Sequence, residues 1–223
     1  MKVSQLALDL ALSPDYSEAA FCITEANAVA YKAVQRWPQW RMGHLLLLGP
    51  AGCGKTHLSR IWSARAGAVS LPAAQLSQAM RTVQRGAAVL LEDLHAGVDE
   101  DGLFHLLNRA AGDAGVTVLM TASRPPADWP VALPDLASRL AASESAVLHE
   151  PDDDLLRQVM DKLLRDRRTP IKAGVLEYLL ARMERSVDYA RALTAWLDRE
   201  ALARKGPVTR TLAREGLAAL SSE

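Results

Sequence analysis

Leu45-Leu-Leu-Leu-Gly-Pro-Ala-Gly-Cys-Gly-Lys-Thr56 is the stretch on which the reading of this chain turns. Four leucines closed by Gly49-Pro50 read as a short buried strand. Beyond Thr56, the residues Leu58, Ile61 and Trp62 recur at helical spacing as far as about Ala66. The order is therefore strand, glycine loop, helix, and Gly49–Thr56 fits the pattern G-x-x-x-x-G-K-[ST]. Glycines allow the backbone to turn successive N–H groups inward around an anion. Lys55 adds a cation suited to the β- and γ-phosphates, the Thr56 hydroxyl suits Mg²⁺, and the helix N-terminus adds its positive end. The expectation is a site for a purine nucleoside triphosphate or diphosphate, ATP or ADP with Mg²⁺. Its candidate residues are Gly49, Pro50, Ala51, Gly52, Cys53, Gly54, Lys55, Thr56 and the following His57.

Working outward, strands are expected near 68–71, 87–91, 116–121 and 146–149, and helices near 73–83, 101–111 and 133–141. Alternating strands and helices predict an α/β fold with a mainly parallel sheet. The strand at 87–91 ends in Glu92-Asp93, where a nucleotide hydrolase needs acids for metal and water. The usual order puts a Mg²⁺-holding Asp first. Glu92 in that place is longer by a methylene, which leaves the chain's own hydrolysis in question. Glu92 and Asp93 are the candidate catalytic acids, and Thr56 with Asp93 the candidate metal ligands. After Pro151 the pattern becomes helical: Asp152 can cap a helix carrying Leu155, Leu156, Val159, Met160, Leu163 and Leu164 on one face. Helices are also expected over 175–183, 187–203 and 209–220. The predicted organisation is an N-terminal peptide and linker (1–19), a parallel-sheet base domain (20–150) and a small all-helical lid domain (151–223).

Composition narrows the class. The chain has 223 residues, with 26 basic and 26 acidic side chains and so no formal net charge. Neither half carries the strong positive balance of a domain that holds DNA by itself, so little direct DNA binding is expected. No apolar run approaches bilayer length and no secretory signal is legible, which predicts a cytoplasmic protein with no membrane partner. The two cysteines, Cys22 and Cys53, are in no metal or redox spacing and are expected as free thiols. The five histidines are scattered and suggest no metal centre.

Together the motifs resemble the AAA+ module of the bacterial initiator DnaA and its short, Hda-type homologues. Phe21-Cys-Ile-Thr-Glu-Ala-Asn27 is similar to the adenine-side approach, which implies nucleotide contacts at Ile23 and Asn27. Leu90-Leu-Glu-Asp-Leu94 resembles the acidic strand, and Val118–Pro126 the sensor strand with its trailing Arg-Pro-Pro. Leu136-Ala-Ser-Arg139-Leu looks like the segment bearing the arginine finger, which implies that Arg139 acts in trans on a neighbour's nucleotide. The family's lid arginine aligns with Asp188 here, with Arg185 and Arg191 three residues to either side. Either could take its place. Gln5-Leu-Ala-Leu-Asp-Leu10 resembles the hexapeptide that docks on the DNA polymerase III sliding clamp (beta subunit), through Gln5, Leu6, Leu8 and Leu10. This peptide, and a chain that stops after the lid, favour the short homologues. The resemblance implies a regulatory inactivator of DnaA that stimulates ATP hydrolysis in that partner, with a possible homo-oligomer. A helicase-loader-like or DNA-remodelling ATPase is the alternative.

Overall fold

The structure is a computed structural model that describes residues 15–221. Gln5, Leu6, Leu8 and Leu10 lie outside those residues. Five parallel strands form one sheet: β1 (His44–Leu48), β2 (Val69–Ser70), β3 (Ala88–Leu91), β4 (Thr117–Ala122) and β5 (Ser145–Val147), in the order β2-β3-β4-β1-β5. The leucine run explains itself once both faces are seen. Successive strand residues point to opposite faces. Leu46 joins Val89, Leu91, Val118 and Met120 on one face, against α4 (Glu100–Ala111) and α5 (Pro134–Ala141). Leu45 and Leu47 join Leu90 and Leu119 on the other, against α2 (Lys55–Ala66) and α1 (Ala28–Gln35). A sheet covered on both faces needs continuous rather than alternating hydrophobicity.

Two elements differ from expectation. Helix α1 was not foreseen. Its buried residues are Ala30, Ala33 and Val34, small side chains with a weak pattern, and tertiary packing selects the helix. The helix expected over 73–83 is instead a single α turn, α3 (Leu76–Ala79), between two short 3-10 segments. Asp99 is the cause. One carboxylate oxygen accepts from the Ser77 amide at 2.8 Å and the other caps α4 through Gly102 N at 3.0 Å, while the Asp99 amide donates to the Ala73 carbonyl. A Cβ on Gly102 would come within 2.5 Å of Leu76 and the Ser77 amide, so α4 presses directly on this segment.

The last third folds as α6 (Asp153–Asp166), α7 (Val175–Leu180), α8 (Val187–Ala203) and α9 (Arg210–Leu220) around a core of its own that includes Leu156, Met160, Leu179, Leu193 and Leu197. The Asp152, Ser186 and Thr209 side chains cap α6, α8 and α9. One isolated parallel bridge, Ile171 with Val208, accompanies the helices. Among the described residues no helix is long and apolar enough to cross a membrane.

Candidate functional site

Parallel strands end on one edge, and loops at that edge form the crevice where such sheets take ligands. Here β1, β3 and β4 run in register and deliver the glycine loop, the acidic pair and Ser123 to that edge. Gly52 (φ +70°) and Gly54 (φ +101°) hold left-handed backbone that other residues rarely adopt. A Cβ on Gly52 would stand 2.1 Å from the Ser186 hydroxyl. Lys55 folds back across the loop: its ammonium donates to the Gly49 carbonyl at 2.7 Å and the Pro50 carbonyl at 2.8 Å. Thr56 is exposed at the loop's open side.

Above the loop lies a cavity of about 720 Å³, within the range that holds small-molecule ligands. The loop residues Ala51–Thr56, with Asp93, form one side of it, and α6 and α8 form the other through apolar residues such as Leu155, Val159 and Ala195. Phe21, Cys22 and Asn27 close a third side. The Asn27 amide does so as a clip: Oδ1 accepts from the Thr24 amide at 3.0 Å and Nδ2 donates to the Cys22 carbonyl at 2.9 Å. Ile23 is 46% exposed and stands outside the cavity wall. Both thiols are free, and burial pushes both up, which makes them poor nucleophiles.

The acidic pair divides. Asp93 borders the cavity in a left-handed conformation (φ 56°, ψ 42°), and its amide donates to the buried Thr121 hydroxyl at 3.0 Å. A non-glycine residue held there costs about 1 kcal/mol, a strain that clusters at functional sites. Glu92 turns away to α2, where it accepts from the Ser59 hydroxyl at 3.2 Å and lies 3.4 Å from the Arg60 guanidinium. It does not line the cavity.

The two lid arginines also divide. Arg185 donates to the Pro151 carbonyl at 3.1 Å and pairs with Asp153 at 2.7 Å, away from the cavity. Arg191 lines the cavity, with its guanidinium 3.1 Å from His57 Nδ1. Asp188, the aligned position, is largely exposed and 4.0 Å from Arg191. Arg139 lies outside the cavity on α5, 5.7 Å from the Phe104 ring. Sequence reasoning missed Tyr16 and Lys162, both of which border the cavity. Neither sits in a motif, and only the meeting of distant segments brings them in.

His57 is buried, with Nε2 2.9 Å from the Ser17 carbonyl. Burial pushes the imidazole below its ordinary value, the Ser17 carbonyl opposes this, and the Arg191 cation adds to it. The phosphate loop and the C-terminal helices meet directly too: the Val187 amide, at the start of α8, donates to the Gly52 carbonyl at 2.8 Å.

No protein-family model matches the chain. An uncharacterized protein of Haemophilus influenzae is 25% identical over 167 residues, 69% of this chain and 72% of that one. Among solved structures, domain III of the Thermotoga maritima replication initiation protein DnaA superposes with a TM-score of 0.75 at 19% identity, covering 93% of this chain and 97% of that one. AMPPCP-bound DnaA from Aquifex aeolicus gives 0.66 at 18% identity, over 87% and 70%. Thermotoga maritima RuvB gives 0.70 at 17% identity, over 92% and 72%. The chain thus has the α/β fold seen in domain III of DnaA and in RuvB.

Proposed function

We propose that this chain is a nucleotide-bound AAA+ regulator of the Hda type, which docks on the DNA polymerase III sliding clamp and stimulates ATP hydrolysis by DnaA. The observation that carries the nucleotide part is the convergence of Lys55, Thr56, Asp93 and Arg191 on one cavity, above a loop whose glycines leave room for an anion. The donors fit ATP or ADP with Mg²⁺. Magnesium is bound through few protein oxygens with phosphates completing its shell, and Thr56 and Asp93 would supply those oxygens. When bound, the metal would neutralise phosphate charge. Lys55 and the loop amides would hold the phosphates, the apolar wall from α6 and α8 would exclude water, and Arg191 would add a cation from the lid.

Glu92 is engaged by Ser59 and Arg60 rather than facing the cavity, which supports slow hydrolysis by the chain itself. Arg139 lies outside its own cavity, half-buried beside the Phe104 ring on α5, which supports a role toward a neighbour rather than toward this chain's own nucleotide. An arginine supplied in trans can raise phosphoryl transfer by orders of magnitude. On this reading the protein is cytoplasmic, Gln5, Leu6, Leu8 and Leu10 dock on the clamp, and the hydrolysis that matters occurs in DnaA.

Two measurements test this. In calorimetric titration, ADP or ATP should bind the full chain, and Lys55→Ala should weaken binding by about a hundredfold or more. In a DnaA hydrolysis assay with clamp on DNA, the chain should stimulate turnover. Arg139→Ala should retain nucleotide and clamp binding yet stimulate nothing; stimulation by that variant would overturn the regulatory reading. The likeness to Thermotoga maritima RuvB, described as a Holliday junction branch migration motor, supports the alternative of a DNA-remodelling ATPase. DNA-stimulated hydrolysis by the chain alone, without DnaA, would favour that alternative.

A further inference from the structure

His57 is in the first turn of α2, beside the phosphate loop, but its ring atoms are engaged elsewhere. Arginine can only donate, so the 3.1 Å contact from Arg191 requires an unprotonated Nδ1. The proton then sits on Nε2, which donates to the Ser17 carbonyl at 2.9 Å. Both ring nitrogens are satisfied by two segments far apart in sequence. Tyr16 reinforces the junction: its ring meets His57 edge-on at 5.5 Å, and the Arg191 guanidinium lies 5.6 Å from its centroid. Phe21 meets the imidazole edge-on at 5.1 Å. The segment carrying Tyr16 and Ser17 is pinned further along, where the Glu18 carboxylate accepts from the Tyr31 hydroxyl and the Gln35 amide, each at 2.6 Å.

We infer that His57 is a positioning residue that couples the N-terminal segment to the lid. Through Nε2 it holds residues 15–21 at Ser17, and through Nδ1 it aims Arg191 of α8 into the cavity. This rests on the nucleotide reading above for what Arg191 is aimed at. A nucleotide that engages Arg191 then steadies His57, and with it residues 15–21. Coupling between sites is reciprocal. Ordering of residues 15–21 therefore changes nucleotide affinity by the same factor as nucleotide changes that ordering. The charged groups facing the imidazole are Arg191 and, through it, Asp188 from α8, and Asp15 from the N-terminal segment.

Two amides separate the two bonds. Asparagine places its amide near Nδ1, and glutamine reaches toward Nε2. In His57→Asn, which keeps an acceptor for Arg191, nucleotide affinity should fall less than in His57→Gln, while backbone amides of residues 17–21 lose their protection from hydrogen exchange. In His57→Gln, those amides should stay protected while affinity falls about tenfold, as expected for one charge-assisted hydrogen bond. Tyr16→Ala, which leaves the buried histidine intact, should weaken the exchange response of 17–21 when variant and wild type are compared at saturating nucleotide. All variants are used as full chains that melt cooperatively. If the asparagine and glutamine variants behave alike in both measurements, or if Tyr16→Ala responds as wild type does, the coupling is refuted. The exchange contrast between the two amides without nucleotide tests the Ser17 tie by itself. Absence of any nucleotide binding by wild type would instead overturn the nucleotide reading.

Discussion

The phosphate loop and the start of α8 meet at one edge of the cavity, and they are held in different ways. The loop is held by its own neighbourhood. Lys55 donates to Gly49 and Pro50 a few residues back, the Gly54 carbonyl accepts the first bond of α2 from Leu58, and Cys53 is buried beneath. The start of α8 borrows its place. Val187 hangs on the Gly52 carbonyl, and Arg191 rests on a histidine from the first turn of α2. A self-held loop needs no contact from the C-terminal helices to keep its shape. A borrowed arginine is in position only when the two regions are closed on each other, so ligand contacts from the lid report closure.

The largest expected effect strikes both sides at once. Gly52→Ala adds a Cβ 2.1 Å from the Ser186 hydroxyl at a left-handed position. It should lower stability by about 2–3 kcal/mol and weaken nucleotide binding. Gly67→Ala is the control, also left-handed but with nothing within 4 Å of the new Cβ, and should cost about 1 kcal/mol in chemical denaturation. Equal costs at the two positions would mean that the loop and Ser186 are not in close approach.

A smaller effect separates the two arginines. Arg191→Gln should weaken ADP binding about tenfold in calorimetry, and Arg185→Gln less than about twofold. The reverse ranking would show that the lid closes on nucleotide through Arg185. The smallest effect concerns protons. His57 and His44 are both pushed below the ordinary histidine value, chiefly by burial. The unfolded chain then binds more protons than the folded one as pH falls through the ordinary value. Stability is full above that value and is lost as pH drops toward the lowered ones. Melting followed from pH 7.5 to 5.5 should fall, and His57→Asn should flatten the fall without abolishing it, because His44 remains.

These contrasts track what could be read in the sequence. The loop was legible because its chemistry is contiguous: glycines, lysine and threonine follow one another between a strand and a helix. The leucine run was legible for a similar reason, since four buried residues in a row suit a strand covered on both faces. Arg185 and Arg191 could not be told apart, because the choice is made by Asp153 and Pro151 on one side and His57 on the other. The broken helix at 73–83 was invisible for the same cause: Asp99, more than twenty residues away, takes the Ser77 amide. Glu92 and Asp93 were legible as a pair but not in their division, which depends on Ser59, Arg60 and Thr121.

The bond from Val187 to Gly52 has a consequence for how such a chain can diverge. Both partners are main-chain atoms, so ordinary substitutions drifting through the lid leave the hinge point untouched. One replacement alone removes the donor, proline at 187. That position opens α8, where a proline is tolerated by the helix itself. A lineage could therefore unfasten the C-terminal helices from the loop in a single step while keeping every helix and the whole phosphate loop.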